Sequence, residues 1–357
     1  MIAIKNNINK ILIFFLFSHL FIWTLVPSIS NVNLPLDTIE ALAWGANLNW
    51  GYSKHPPFSA WTVEIFYQLF GNQDWAYYFL SQLFVVTAFF VVFKFSEDFF
   101  KNKILSLVAI LLLEGIYFYN FTTPEFNVNV SQLPFWALTV YYCWKGIKHN
   151  DIANWLLFGL FAACGILSKY LFIYLLIAVD IFFIYLIKEK KFNNKSLFSL
   201  ISFIIILAPH LIWLYENDFV TFSYAFKRTG LEGSQFLDHI YNPIIFLGKQ
   251  IGILIPFFLM FFFIIKSLKI KFNLKDRKFL FLLIINLAPI FLMFLTSLLT
   301  GAKLRTMWMT PFYLFMGVFF VYTFQKLLVL RKLKYFFSNI SKYFLFYPRL
   351  TYFYISI

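Results

Sequence analysis

The run "ILIFFLFSHLFIWTLVPSI", residues 11–29, decides the class of fold. It contains no Asp, Glu, Lys or Arg, and a helix rising 1.5 Å per residue over this length crosses a hydrocarbon layer of ~30 Å. Lys5 and Lys10 precede it and Ser28-Ile29-Ser30 follows, which are also features of a signal sequence. The run is long for a signal core, so an uncleaved first helix is expected.

The rest of the chain repeats this pattern. Of its 357 residues 61% are hydrophobic and 13% charged, with 52 Phe. A soluble domain carries about 25% charged residues and has too little interior to hide so much apolar surface. Apolar windows fall near 11–29, 75–93, 104–119, 130–147, 154–168, 170–187, 196–214, 244–265, 279–298 and 306–325. They predict an all-α polytopic membrane protein with about ten transmembrane helices.

The net charge of +14 is explained by orientation rather than by nucleic acid. With the N-terminus cytoplasmic, alternating spans leave only Lys54, Lys169, Lys227, Arg228, Lys249, Lys303 and Arg305 outside, while the other Lys and Arg residues fall inside. Two outer segments exceed simple turns, 30–74 and 215–243, and function on a helical scaffold concentrates in such connections. Residues 1–330 read as one transmembrane domain and 331–357 as a basic, apolar tail. Cys143 and Cys164 lie in apolar runs, and the five His residues are scattered, so no metal-ligand spacing emerges.

The first outer segment carries "DTIEALAWGANLNWGYSKHPP", residues 37–57. In a helix starting near Pro35, Asp37 and Glu40 share a face. They read either as paired carboxylates for chemistry or as a capping box, with Asp37 the N-cap. Trp44, Trp50, Tyr52 and Trp61 read as an interfacial belt or as stacking platforms for a sugar. The run 58–70 is expected to lie along the bilayer as an amphipathic helix.

Lys54, with His55 beside it and Pro56-Pro57 fixing the backbone, stands on the side where the charge pattern places few basic residues. It reads as a snorkelling side chain or as the partner of a phosphate at the membrane surface. Lys169, Arg228 and Arg305 come from separate parts of the chain and are suited to the same anion. Lys169 lies between two apolar runs with almost no loop, where an idle charge drawn toward the bilayer centre costs roughly 3 kcal/mol. Glu125, between Asn120 and Asn127, reads as an acceptor-orienting or supporting carboxylate, or as a solvated one. Glu114 and Asp180 lie within spans and raise a proton-relay reading; a multi-pass transporter or lipid flippase is therefore the alternative class.

Taken in order, the acid after the first helix, "GYSKHPPFSAW", "YFLSQL", "TPEFNVNVSQLPFWAL", "GILSKY" and "RTMWMTPFY" resemble the GT-C membrane glycosyltransferases, over about residues 10–325. The likeness is to the dolichyl-phosphate-mannose-protein mannosyltransferase-like group, which includes bacterial lipopolysaccharide sugar and aminoarabinose transferases. It implies a GT-C fold in the inner membrane. It further implies an inverting transfer of sugar from a polyprenyl-phosphate donor to a lipid, glycan or protein acceptor on the outer, periplasmic face. By this resemblance Asp37 is the catalytic base, with Glu40 in the same loop, and Lys54 binds the lipid phosphate. His55, Lys169, Arg228 and Arg305 stand on the donor side, and Glu125, Trp44 and Tyr52 on the acceptor or supporting side. Divalent-metal use is left open by these residues.

Overall fold

In the computed structural model, the described residues are 7–230, 233–269, 272–329, 332–333 and 335–337. The tail expected over 331–357 lies almost wholly outside them. The described chain is helical, and pairing of the strand type is confined to one isolated bridge, Ile265 with Leu328.

The first apolar run forms α1 (Ile8–Ser30), and the first outer segment forms two short helices, α2 (Leu36–Gly45) and α3 (Phe58–Phe70). They are followed by α4 (Asp74–Ser96) and α5 (Lys103–Leu111), with 3-10 turns at Leu112–Gly115 and Tyr117–Tyr119. Next come the four-residue α6 (Val128–Ser131), α7 (Leu133–His149), α8 (Ile152–Ser168) and α9 (Ile173–Lys188). Then α10 (Phe198–Glu216), α11 (Val220–Thr229), α12 (Asp238–Ile264) and α13 (Arg277–Thr300). A 3-10 stretch, Thr306–Tyr313, leads into α14 (Met316–Phe324).

Six described helices are long and apolar enough to span a bilayer, or seven if Thr306–Tyr313 and Met316–Leu327, bent by 50°, form one span. The expected windows outnumber these for a physical reason. The window 104–119 is a nine-residue helix that tightens into 3-10 turns, and Ile152–Ser168 is apolar but short. Helices α1, α10 and α12 turn apolar side chains such as Ile13, Phe14, Ile204, Ile205, Ile251 and Leu259 outward, as lipid contact requires.

Inside the bundle, α4 is the most enclosed span and packs against α1 and α7. Phe89 of α4 meets Tyr119 edge-on at 5.6 Å, and the buried Trp136 of α7 meets Phe172 edge-on and Phe312 at 4.9 Å. Helices α8 and α10 approach closely because Gly159 leaves no side chain between them; a Cβ there would sit 1.9 Å from the Ser199 carbonyl oxygen. Lipid tails are as apolar as Leu, so such close contact supplies the dispersion energy that association within a membrane needs.

Within the bilayer-spanning part, His19 donates from Nδ1 to the Glu114 carboxylate at 2.7 Å, and the histidine is fully buried. This contact joins α1 to the 3-10 turn after α5 and gives Glu114 a partner. Asp180, by contrast, is exposed on α9. At the end of the bundle away from α2, Asp98 pairs with Lys145 at 3.3 Å and Lys148 at 2.7 Å, tying α4 to α7.

Candidate active site

Pro35 occupies the N-cap of α2, with φ of −59°, so the helix begins at Leu36 and Asp37 falls inside the first turn. The capping box does not form, since no side chain caps this end. The Asp37 backbone N–H instead donates to Glu125 Oε1 at 3.3 Å, and the Thr38 hydroxyl donates to the Phe126 carbonyl at 3.1 Å. These two bonds dock the start of α2 onto the segment after α5 and leave the Asp37 carboxylate uncommitted to capping. Glu40, one turn on, makes an ion pair with Lys54.

The loop after α2 is held by its aromatic residues. Trp44 stacks on Tyr52 at 5.4 Å with the rings 10° apart, and His55 meets Trp44 edge-on at 5.9 Å. The Tyr52 hydroxyl donates to the Asn47 carbonyl at 2.8 Å, and Trp61 Nε1 donates to the Asn49 carbonyl at 2.9 Å. Gly51 lies flat against the Trp213 indole, where a Cβ would come within 2.3 Å of ring carbons. His210 Nδ1 donates to the Trp50 carbonyl at 2.5 Å, which leaves Nε2 to accept from the Tyr170 hydroxyl at 2.8 Å. Side chains of α10 thus fix the loop that presents Lys54. The Lys54 ammonium lies 6.0 Å from the Trp44 ring and 5.8 Å from that of Tyr224 on α11.

Lys169 sits in the extended break between α8 and the 3-10 turn that starts α9, with φ of −165° and ψ of 135°. It is 6% exposed. Its ammonium donates to Asn129 Oδ1 and lies 5.2 Å from the Trp308 ring. Burial pushes its pKa down to about 7, opposed by the Asp37 carboxylate. Burial likewise raises Asp37, aided by Glu40 and opposed by Lys169, Lys54 and Arg228 in that order. His55 is driven down to about 3 by burial and by the same three cations. Glu125 is raised by burial and by repulsion from Asp37. One acid and one imidazole therefore feel three cations contributed by distant parts of the chain.

The structure brings together Asp37, Glu40, Lys54, His55, Glu125, Lys169 and Arg228, with Trp44 and Tyr52 packed beneath them. Arg228 is exposed in the last turn of α11. Arg305 is exposed and makes no ion pair among the described residues; its loop is joined to the end of α11 by the Lys303 N–H, which donates to the Thr229 carbonyl at 3.0 Å. A cavity of about 390 Å³ opens beside the cluster, lined among others by Trp23, Pro27, Glu125, Asn127, Asn129 and Met307. Among the described residues, no three His, Cys, Asp or Glu side chains gather as a metal site would require.

Sequence reasoning gave no role to Asn127, Asn129, Trp308 and Trp213, and read His210 as a packed interfacial histidine, which its burial bears out. The available signal was the pair of asparagines at 127 and 129 in an otherwise apolar stretch, whose placement depends on partners far away in the chain.

Residues 54–213 match the dolichyl-phosphate-mannose-protein mannosyltransferase family. The undecaprenyl phosphate-alpha-4-amino-4-deoxy-L-arabinose arabinosyl transferase of Wigglesworthia glossinidia brevipalpis is 28% identical over 167 residues, which is 42% of this chain and 29% of that protein. The crystal structure of ArnT from Cupriavidus metallidurans bound to undecaprenyl phosphate superposes with a TM-score of 0.67 at 13% identity, covering 92% of this chain and 62% of that one. The chain thus spans less than two thirds of either relative, while the architecture is shared across nearly all of its own length. By that shared fold and by its apolar helices, the chain is a multi-pass membrane protein of the GT-C fold, and its residues 54–213 are similar to the dolichyl-phosphate-mannose-protein mannosyltransferase family.

Proposed function

We propose that the protein is an inverting glycosyltransferase that moves a sugar from a polyprenyl-phosphate donor to an acceptor hydroxyl at the outer face of the membrane. The observation that carries this reading is the position of Asp37 within the field of Lys54, Lys169 and Arg228. Glycosyl transfer needs a base and an anion site side by side. The acceptor oxygen forms its bond to C1 as the C1–O bond to phosphate breaks, and the electron pair of that bond leaves with the phosphate. Asp37 takes the hydroxyl proton. Lys169, Lys54 and Arg228 stabilise the departing phosphate in a partly dry site.

The two relatives carry undecaprenyl-linked ligands in their names, which supports a polyprenyl phosphate as the donor carrier. The cavity beside Glu125 provides room for the partner that receives the sugar, whether lipid, glycan or protein. The test is a transfer assay with purified protein in lipid nanodiscs, an undecaprenyl-phosphate sugar and membrane glycolipid extracts, read by mass spectrometry. A glycolipid mass gain that Asp37→Asn abolishes supports the reading. Solute movement across vesicles without sugar transfer would support the transporter alternative instead.

A further inference from the structure

The two lysines of the site are held in chemically different ways. Lys54 faces a carboxylate, so the pair with Glu40 carries no net charge. Lys169 faces the amide oxygen of Asn129, a neutral acceptor, and the face of Trp308. A neutral acceptor and a ring quadrupole hold an ammonium in place without cancelling its charge.

Asn129 is itself fixed. It is buried in the four-residue helix α6, and its backbone N–H donates to Asn127 Oδ1 at 2.9 Å. Asn127 Nδ2 in turn donates to Glu125 Oε2 at 3.1 Å, and Glu125 Oε1 accepts the Asp37 N–H. A continuous path of hydrogen bonds therefore runs from Asp37 through residues 125–129 to Lys169.

We infer that residues 125–129 form a strap that sets the distance between acid and cation, and that Asn129 is a positioning residue which holds Lys169 for the donor phosphate without adding a countercharge of its own. This rests on the donor-phosphate reading above. Lys54 then serves as an already neutralised rim contact, and Lys169 supplies the charge that distinguishes a phosphate from a neutral headgroup. The titratable groups that face Lys169 are Asp37 from α2, which favours its charged form, and His55 from the following loop. Trp308 and Asn129 do not titrate. Burial holds its pKa near 7 against the pull of Asp37, so replacing the neutral acceptor with a charged or an apolar group should tip the charge of Lys169 within the working range of pH.

The experiment measures binding of undecaprenyl phosphate to the full chain in nanodiscs from pH 5.5 to 9, for the wild type, Asn129→Asp and Asn129→Ala. The ligand's own second ionisation is common to all three proteins, so differences between them report on Lys169. Wild-type affinity should fall as pH rises through about 7. In Asn129→Asp the new carboxylate favours the ammonium, and the fall should move up by a pH unit or more, with affinity below pH 6 weakened about tenfold. In Asn129→Ala the lost acceptor should move the fall down. Unshifted midpoints in the variants overturn the inference while leaving the donor reading standing. Absence of wild-type binding at every pH removes the donor reading itself, and the inference with it. Should Asn129→Ala not fold, the near-isosteric Asn129→Asp decides alone.

Discussion

Glu125 accepts the backbone N–H of Asp37 at 3.3 Å across 88 residues of chain. The acid proposed as base is thus anchored through its main chain, and its carboxylate feels the charges of Lys169, Lys54 and Arg228. Burial and Glu40 together raise its pKa, so ionising Asp37 costs folding free energy.

Asp37→Asn should therefore abolish transfer and also stabilise the protein. The folded state binds this proton more tightly than the unfolded chain, so wild-type stability falls as pH rises from the unfolded pKa through the folded one. A neutral amide escapes that loss at pH 7. Thermal unfolding in detergent should show a higher midpoint for the variant at pH 7 and none of the gain at pH 3. Transfer should drop by 10²-fold or more, the usual contribution of a general base.

In the wild-type protein, the acid limb of the pH–rate profile of the proposed transfer should lie above the ordinary aspartate range, because a base works only when deprotonated and the pKa of Asp37 is raised. A limb at or below pH 4 would remove Asp37 from that role.

Lys54→Ala and Glu40→Gln should separate. The pair is about one-third exposed, with side chains 37% and 28% accessible, so breaking it changes stability by at most about 1 kcal/mol in either variant. Donor binding, however, should weaken in Lys54→Ala by roughly tenfold, the low end of a charge-assisted hydrogen bond at about 1.5 kcal/mol, because Glu40 already offsets the ammonium charge. Glu40→Gln should keep or improve donor affinity. Titration with undecaprenyl phosphate distinguishes them.

Gly51→Ala should disturb the site from a distance. Its Cβ would fall 2.3 Å from Trp213 ring carbons, and overpacking of this kind costs about 1–3 kcal/mol. Activity should fall with little change in the expressed amount of protein, and Trp213→Leu in the same chain should restore part of it. Equal activity of the single variant and wild type would show that the loop does not need α10 for its shape.

At the opposite end of the bundle, Asp98 is raised by burial but lowered further by Lys148 and Lys145, leaving its pKa depressed. Its contribution to stability is present above the unfolded aspartate pKa and disappears as pH falls through the lower, folded one. Asp98→Asn should consequently lower the thermal midpoint at pH 7 and approach the wild type near pH 2.

Much of this architecture was legible because membrane solvation is a strict filter. A run without charges such as 11–29 has few alternatives to a helix, and the run 58–70 became α3 with the expected bounds. Helix number was less legible, since hydropathy does not register the tightening at Leu112–Gly115, where Gly115 abuts the backbone of Phe257. Asp37 and Lys54 stood out as polar residues where lipid begins. The capping-box reading failed on Pro35, which took the cap position and moved Asp37 inward. The role of Asn129 was not legible, because an amide acquires meaning only from its partner, here 40 residues away.

The contact between His19 and Glu114 has a consequence for biogenesis. The two residues are 95 positions apart, so α1 leaves the ribosome and enters the lipid long before the carboxylate that satisfies its histidine has been synthesised. Until the turn after α5 arrives, the first helix lacks the carboxylate that its polar ring bonds in the folded protein. Its later capture gives the nascent chain a built-in reason to bring these two segments together early, ahead of the helices that complete the bundle.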